Sequence, residues 1–567
     1  MPSRLVPALM LGLLLIGCGA PSAATTDRTA GQELPRAVRH ATVIIRGDIP
    51  TLMPGARGAV PGAVELEELL TVGLTVGQGR GEPFVPRVAE SVPSTDNGLW
   101  RVFPDGRMET IWRIRRDVLW HDGTPFTSQD LLFKARLQQD DRMPFVEPAL
   151  NQFIEGVEAP DPQTLIVKWK QPYLQADKGF EENLPLPRHL LEAPYLSGET
   201  ERFLALPYWT EEFIGTGPYR MRQWMPGSGA VLDAFDRYFL GRPTVDVIEV
   251  KFIPDPNTIA ANFLAGEADV TLGGRLALDW AQEMQGRAGG KVTIGTSAAN
   301  PIVIYVNLLS PNPSAILELD FRRALVHALD RPAMMDSLVQ GLTAVADGVV
   351  VNPSRAAEFR AAESAIVRYE YDPRKAVQLI EGLGYRKAPD GLYRDTAGQR
   401  IALEIRTTQG DIQQERSMFS TAANWQEVGL ATEPVIVPAA RRQDFEWRFS
   451  FPAFDLRRQP LTFNELHDKF HSSKFPLAET NWRGGNYGRY RNAEIDRLVE
   501  AHAVTIPTNQ RAEIFRQIVR HVSDQVVIIG LFYDVEVTVT SSRLRNVPTR
   551  SGAFGETWNV HEWQVVD

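Results

Sequence analysis

The sequence predicts an exported α/β protein of two or three domains, and three observations lead to that prediction. Short apolar, β-branched runs such as residues 41–45 alternate along the chain with apolar stripes at helical spacing. The 567 residues are more than a single hydrophobic core usually organises. One apolar run lies close to the N-terminus, and it is too short to cross a bilayer as a helix.

The N-terminal run has the features of a secretory signal. Arg4 precedes the apolar residues 5–17, as a positive n-region precedes an h-region. Residues 15–18 read Leu-Ile-Gly-Cys, which resembles the lipobox of bacterial lipoproteins. We therefore expect a signal peptide over residues 1–17 and a diacylglycerol on the sulfur of Cys18, the only cysteine of the chain. The alternative is an ordinary signal peptide followed by a chance cysteine.

Composition and charge exclude some classes of protein. Hydrophobic residues make up 43% and charged residues 23%, which is ordinary for a soluble globular protein. The 60 basic and 70 acidic residues are interspersed and give a net charge of −10, so nucleic-acid binding is not expected. Residues 18–39 are rich in Ala, Thr, Pro and polar residues and predict a flexible tether between the lipid and the folded body.

Several helix starts can be read directly from capping residues. Thr127 with Asp130 three residues later has the spacing of a capping box. Asp372 before Pro373 places an N-cap residue ahead of a first-turn proline, and Asn492 is a third N-cap candidate. Apolar stripes follow each of these caps, and we expect them to pack in the core.

Six blocks of the sequence form a recognisable series. The first contains Trp120-His121-Asp122-Gly123-Thr124-Pro125-Phe126-Thr127, and the others lie at residues 215–219, 254–269, 320–341, 371–385 and 486–498. In this order along the chain, the blocks resemble the signatures of the family 5 solute-binding proteins, the receptors of peptide- and nickel-type ABC importers. Turn and capping chemistry accounts for most of these residues. We therefore expect the blocks to shape the fold rather than to touch a ligand.

The resemblance implies a type II periplasmic-binding-protein fold of the peptide-binding subclass, with two α/β lobes, a hinge and a subdomain inserted into the first lobe. The expected boundaries are 40–62, 210–298 and 538–567 for lobe I, 63–209 for the inserted subdomain and 299–537 for lobe II. The chain would cross between the lobes at residues 300–307 and return at 535–539. Both stretches are extended and β-branched, as paired hinge strands require.

The sequence contains no evident catalytic, cofactor or metal constellation. Residues 77–81 are glycine-rich but lack the lysine and hydroxyl of a phosphate-binding loop. His467 and His471 have the spacing of metal ligands on a helix, but no third ligand has matching spacing, and a solvated pair is favoured. We therefore predict no enzyme activity, no cofactor and no metal. An exported hydrolase on a similar scaffold is the alternative.

The resemblance points to Asp455 as a ligand contact. Peptide-binding members of the family set an aspartate of lobe II against the α-ammonium of the peptide, and Asp455, after Phe454, stands where that aspartate is expected. A carboxylate facing an ammonium makes a charge-assisted contact. The alternative is a strand-end residue that begins a turn.

The chain departs from the peptide binders immediately after Asp455. Arg457 and Arg458 stand where those proteins carry Gly, Asp and Pro. The two arginines either neutralise Asp455 within the fold or meet a carboxylate or phosphate of the ligand, and both alternatives stay open.

A second candidate ligand segment precedes the helix that Asn492 caps. It contains Trp482, Asn486 and Tyr487, and the aromatic rings suit stacking on a ligand in a cleft. Core packing is the alternative for Trp482.

These expectations combine into one function. The protein is expected to be a monomeric, extracytoplasmic receptor that is anchored to the cell membrane only by its lipid. It would capture a peptide or peptide-like solute and deliver it to an ABC permease with its ATPase subunits. A peptide sensor or chaperone lipoprotein without a transport role is a further alternative.

Overall fold

The computed structural model describes residues 37–54, 60–77, 84–144, 148–177, 185–274, 276–348, 361–441, 444–459, 465–549 and 555–566. The expected signal peptide, Cys18 and most of the expected tether lie outside these residues. So does part of the glycine-rich stretch 77–81. Across the described ranges, no helix is both long enough and apolar enough to cross a membrane.

Twenty β-strands are present in the described residues. They are β1 His40–Ile45, β2 Thr75–Val76, β3 Val85–Pro86, β4 Trp100–Val102, β5 Met108–Arg113, β6 Ile154–Asp161, β7 Thr164–Trp169, β8 Tyr219–Met225, β9 Gly229–Ala234, β10 Val247–Phe252, β11 Val270–Leu272, β12 Val292–Val306, β13 Arg386–Lys387, β14 Tyr393–Arg394, β15 Ala402–Thr408, β16 Ala431–Val437, β17 Phe454–Arg458, β18 Ile528–Ser541, β19 Leu544–Arg545 and β20 Gln564–Val565.

The same residues contain fifteen α-helices. They are α1 Ala63–Leu70, α2 Ser128–Gln138, α3 Pro148–Asn151, α4 Arg188–Leu196, α5 Thr200–Leu204, α6 Pro256–Ala265, α7 Leu278–Arg287, α8 Leu319–His327, α9 Arg331–Val339, α10 Pro373–Gly382, α11 Ile412–Glu427, α12 Phe445–Phe449, α13 Leu466–Phe470, α14 Ala493–Val504 and α15 Thr508–Asp524.

The three capping predictions are confirmed. The Asp130 carboxylate accepts a hydrogen bond from the backbone N–H of Thr127 at 2.8 Å, at the start of α2. Asp372 accepts from the backbone N–H of Lys375 ahead of α10. Asn492 accepts from two backbone N–H groups of the first turn of α14. Each side chain satisfies donors that the first helical turn cannot pair internally.

One mixed sheet of ten strands forms the framework of the body. Its order is β16-β15-β17-β12-β18-β11-β1-β10-β9-β8. The two long strands β12 and β18 are antiparallel neighbours at its centre, and they join one half of the sheet to the other. A four-stranded antiparallel sheet, β4-β5-β7-β6, lies earlier in the chain.

The ladder between β12 and β18 is interrupted near its middle. The register shifts between the pairs Ala298–Val535 and Pro301–Tyr533. Pro301 has no N–H to give to the ladder, so the strands keep fewer hydrogen bonds at this point than on either side. The interruption overlaps one end of each predicted crossing, 300–307 and 535–539. The exact hinge residues stay a prediction.

Side chains inside the predicted inserted subdomain pack in two places. The residues of β4 to β7 share a core with neighbours from residues 74–176, and Ile506 from the α14–α15 connection joins it. Leu69 of α1 and Trp209 instead pack with β1 and β8 to β10. The boundary of the inserted subdomain at residues 63–209 stays a prediction.

Helix α7 also contacts residues from a later part of the chain, at a place outside the ten-stranded sheet. The side-chain amides of Gln282 and Gln340 exchange two hydrogen bonds, at 2.6 and 2.7 Å. Arg416 on α11 lies 3.5 Å from the Asp279 carboxylate. We call these two contacts the α7 clasp.

Candidate functional site

Strand β17 contains the predicted ligand residues of the segment 454–458, and their side chains alternate between the two faces of the sheet. Phe454 and Leu456 are fully buried and belong to the hydrophobic cluster on one face. Asp455 and Arg457 alternate with them and lie on the other face. Asp455 is the register partner of Tyr305 on β12 and of Arg406 on β15.

Asp455 has its charge partner within the fold. Arg457 Nε donates to Asp455 Oδ2, and the two residues are only 4% and 8% exposed. Burial raises the pKa of the Asp455 carboxyl above its ordinary value, and the Arg457 guanidinium offsets part of that rise. Arg457 thus neutralises Asp455 within the fold. The other alternative, an arginine that meets a carboxylate or phosphate of the ligand, stays a prediction. A direct contact of Asp455 with a ligand amine stays a prediction.

The Arg457 guanidinium lies beside two stacked aromatic rings. Its central carbon lies 4.6 Å from the ring centre of Tyr487 and 5.1 Å from that of Phe449. Those two rings stack on each other at 4.9 Å, and Tyr305 meets the Tyr487 ring edge-on at 5.0 Å. We call Tyr305, Phe449, Asp455, Arg457 and Tyr487 the arginine–aromatic cluster. A guanidinium held against ring faces is both oriented and stabilised.

Arg458 enters a different set of contacts at the end of β17. Its Nε lies 2.8 Å from Asp534 Oδ2, and its Nη1 lies 2.5 Å from Asp411 Oδ2. Asp534 lies on β18 beside the interrupted ladder, and burial raises the pKa of its carboxyl. Arg458 therefore ties the end of β17 to the joining strand and to the loop after β15. Ligands of open α/β sheets bind at such strand ends.

Asn486 is buried and uses its side chain inside its own loop. Its amide nitrogen donates to the carbonyls of Phe470, His471 and Tyr490, and its oxygen accepts from the Tyr490 backbone N–H at 3.1 Å. These bonds hold the segment that presents Tyr487. A contact of Asn486 with a ligand is untested.

Trp482 has an unusual backbone and a partly exposed side chain. Its φ is +58° and follows +50° at Asn481. The left-handed region is costly for a bulky side chain, so surrounding contacts must impose it. The indole belongs to none of the five hydrophobic clusters of the described residues. The core-packing alternative therefore has no support in the fold, and the ligand role of Trp482 stays a prediction.

His467 and His471 lie close together, as their spacing predicts. Their rings stack at 4.5 Å, and His471 Nε2 lies 2.9 Å from Glu500 Oε1. Among the described residues, no three His, Cys, Asp or Glu side chains are grouped so that they could hold a metal ion.

His121, in the first family block, joins two distant blocks of the chain. Its Nδ1 accepts from the Gly215 N–H, and its Nε2 lies 3.1 Å from the Gly217 carbonyl, to which it donates. Only the neutral ring can make both bonds, and burial lowers the pKa of His121 to about 4. This arrangement supports the architectural reading of the blocks.

Sequence reasoning missed Tyr305, Phe449 and Lys469. The Lys469 ammonium is buried and lies 5.3 Å from the Tyr487 ring centre. Tyr305 comes from a strand far from β17 in sequence, and only the strand register places it beside Asp455. The aromatic run 445–454 was the one signal that could have indicated Phe449.

Comparison with known proteins identifies a family and several relatives of this chain. The family model described as bacterial extracellular solute-binding proteins, family 5 Middle, matches residues 84–492. The oligopeptide-binding protein AppA of Bacillus subtilis is 23% identical over 535 residues, which cover 93% of this chain and 92% of that protein. The nickel-binding periplasmic protein of Escherichia coli is 25% identical over 463 residues, or 79% and 82% of the two chains.

A solved structure extends the agreement to the fold. NikZ from Campylobacter jejuni, in complex with Ni(L-His), superposes with a TM-score of 0.69 at 22% identity, covering 94% of this chain and 100% of that one. The predicted two-lobed periplasmic-binding-protein fold is confirmed. The predicted family is confirmed as well, because the family model spans most of the chain: this protein belongs to family 5 of the bacterial extracellular solute-binding proteins.

Proposed function

We propose that this protein is the lipid-anchored receptor of an ABC importer and that it closes two lobes on a peptide or peptide-like solute. The observation that carries the proposal is the pair β12 and β18 with its interrupted ladder. The pair is the central link between the two halves of the sheet, and it has fewer hydrogen bonds at one point than elsewhere. Rotation about such a point is a hinge motion.

The solute class is supported by the names of relatives. They include an oligopeptide-binding protein, a dipeptide-binding protein and a nickel-binding protein. Tyr487 and the partly exposed Trp482 supply aromatic surface, and Arg457 supplies positive charge. Asp455 contributes by orienting Arg457. A peptide offers both apolar side chains and charged ends to such a surface.

The proposed receptor has two lobes, an inserted subdomain and a lipid anchor. Lobe I takes residues 40–62, 210–298 and 538–567, lobe II takes residues 299–537, and the inserted subdomain lies within 63–209. The monomer acts outside the cytoplasm, with Cys18 lipidated and residues 18–39 as the tether. An ABC permease and its ATPase subunits receive the solute.

Closure can be tested on the mature chain. The protein is purified natively, its co-purified solute is identified by mass spectrometry, and the solute is removed and added back. Small-angle scattering should show a smaller radius with the solute, because a closed cleft excludes water. Hydrogen exchange should slow at residues 300–307 and 535–539. An unchanged radius and unchanged exchange at saturation would contradict the hinge.

The anchor is tested separately with Cys18→Ser. The variant should lose the mass of the lipid and leave the membrane fraction, while its body melts as in the wild type. Continued membrane fractionation with the mass of lipidation would show that Cys18 is not the anchor.

A further inference from the structure

Two buried donors of the arginine–aromatic cluster have no hydrogen-bond partner among the described residues. They are the hydroxyl of Tyr305 and Nη2 of Arg457. Their residues are 4% and 8% exposed. Native proteins pair nearly all buried polar groups, so an unpaired one calls for a partner that the described residues do not supply.

The strand register brings these two donors together. Tyr305 lies directly opposite Asp455, and Arg457 is two residues further along the same strand and on the same face. Diagonal neighbours on one face of an antiparallel pair are within reach of long side chains. Both side chains also contact Tyr487, with the Tyr305 ring centre at 5.0 Å and the Arg457 guanidinium at 4.6 Å.

Asp455 sets the direction in which Arg457 can donate. It accepts a hydrogen bond from Nε, which lies on the same edge of the guanidinium as Nη2, and it leaves Nη2 itself without a partner. Asp455 therefore fixes the orientation of the guanidinium and acts as a positioning residue. The Lys469 ammonium lies near the same Tyr487 ring and is paired with the Asp468 carboxylate at 3.3 Å.

Some buried residues of the same types are paired within the fold, whereas Arg489, which is 5% exposed, also has two guanidinium nitrogens without a partner. The arginine–aromatic cluster differs in that an unpaired hydroxyl and an unpaired guanidinium nitrogen lie on one face of two neighbouring strands. Arg322 is 5% exposed and donates to the carbonyls of Ile316, Leu317 and Gln525. Tyr219 is fully buried and donates its hydroxyl to the Val245 carbonyl at 3.1 Å. These two side chains are satisfied within the fold.

We propose that the Tyr305 hydroxyl and Arg457 Nη2 together bind a carboxylate of the solute, with an apolar group of the solute beside the Phe449 and Tyr487 rings. This inference rests on the proposed function, because it assigns the chemical class that the receptor recognises. A carboxylate fits better than a phosphate, since two donors and one partly neutralised guanidinium match a planar anion of single charge.

The direct test uses benzoate as the probe and benzamide as its neutral counterpart. The full mature chain, freed of co-purified solute, is titrated calorimetrically with each compound. The wild type should bind benzoate and not benzamide. Tyr305→Phe, which removes one hydroxyl, should weaken benzoate binding about 10- to 150-fold, the range expected for one hydrogen bond to a charged group.

Tyr219→Phe is the matched control, because it removes an equally buried hydroxyl that has a partner in the fold. It should lower the melting temperature and leave benzoate affinity unchanged. Tyr305→Phe should leave the melting temperature of the solute-free protein unchanged or raise it, since it removes an unpaired group. Arg457→Lys keeps the charge but loses the forked geometry, and it should also weaken benzoate binding.

Three results would overturn the carboxylate site. The wild type fails to bind benzoate, or Tyr305→Phe binds it as tightly as the wild type, or a crystal structure with benzoate shows only an ordered water between the two donors. None of these results touches the receptor function, which fails only if no solute co-purifies and the radius does not respond. The two failures are therefore distinguishable.

Discussion

Two buried polar regions of this protein, the His121 contact and the arginine–aromatic cluster, differ in whether their polar side-chain atoms all have hydrogen-bond partners. Both ring nitrogens of His121 are engaged by Gly215 and Gly217, which belong to another family block. In the arginine–aromatic cluster, Asp455 pairs with Arg457, but the Tyr305 hydroxyl and Nη2 of Arg457 stay unpaired. The contacts of His121 account for architecture, whereas the neighbouring unpaired donors of the cluster are the basis of the proposed carboxylate site.

The largest effect should come from breaking the charge pair of the arginine–aromatic cluster. Arg457→Met leaves the Asp455 carboxylate buried without its partner and should lower the free energy of unfolding by about 3–5 kcal/mol. The double variant Asp455→Asn with Arg457→Met should recover most of that loss, because no isolated charge is left. Urea unfolding of the three proteins measures this. Equal stability of the single and double variants would show that the pair does not support the fold.

The second effect concerns His121 and the pH. The pKa of His121 in the folded protein is about 4, below the ordinary value of 6.5. Between these pH values the unfolded chain therefore binds a proton that the folded protein does not bind. The stabilisation is therefore complete above pH 6.5 and is lost as the pH falls toward 4. The loss amounts to about 3 kcal/mol.

His121→Gln should flatten this dependence, since an amide can also accept from Gly215 and donate to Gly217 without titrating. Urea unfolding at several pH values between neutral and mildly acidic would show it. A His121→Gln protein with the full wild-type slope would mean that other groups set the acid response.

The smallest effect should come from Trp482. Its left-handed backbone is costly for a residue with a Cβ, so Trp482→Gly should raise the free energy of unfolding of the solute-free protein by about 0.5 kcal/mol. Trp482→Phe keeps the backbone requirement and should bring no gain. If the glycine variant is instead clearly less stable, the indole packs in the fold and its predicted ligand role loses its basis.

The parts of the fold that depend on local chemistry could be predicted from the sequence. The caps at Thr127, Asp372 and Asn492 are set by residues within one helical turn, and each was identified correctly. The ordered blocks gave the family, because turn residues recur wherever the same backbone is built. These features require no knowledge of which strands become neighbours.

The candidate site could be predicted only in part, because its chemistry depends on strand pairing. Arg457 was a candidate from its position after Asp455, but Tyr305 joins it only through the register of β12 with β17. Asn486 lies in a segment whose composition suits a cleft, yet its side chain forms hydrogen bonds with the backbone of the same segment. A sequence shows that a donor is present and does not show whether the fold leaves it unpaired.

The α7 clasp, with Gln282 against Gln340 and Asp279 against Arg416, has a consequence for affinity that is separate from the ligand contacts. With the lobes as proposed, it joins lobe I to lobe II beyond the joining strands. A contact that one arrangement of the lobes keeps and the other loses sets the populations of the two arrangements before any solute arrives. The apparent dissociation constant is inversely proportional to the population that can bind. Substitution of the polar side chains of the α7 clasp can therefore change the affinity for a solute without changing any residue that contacts it.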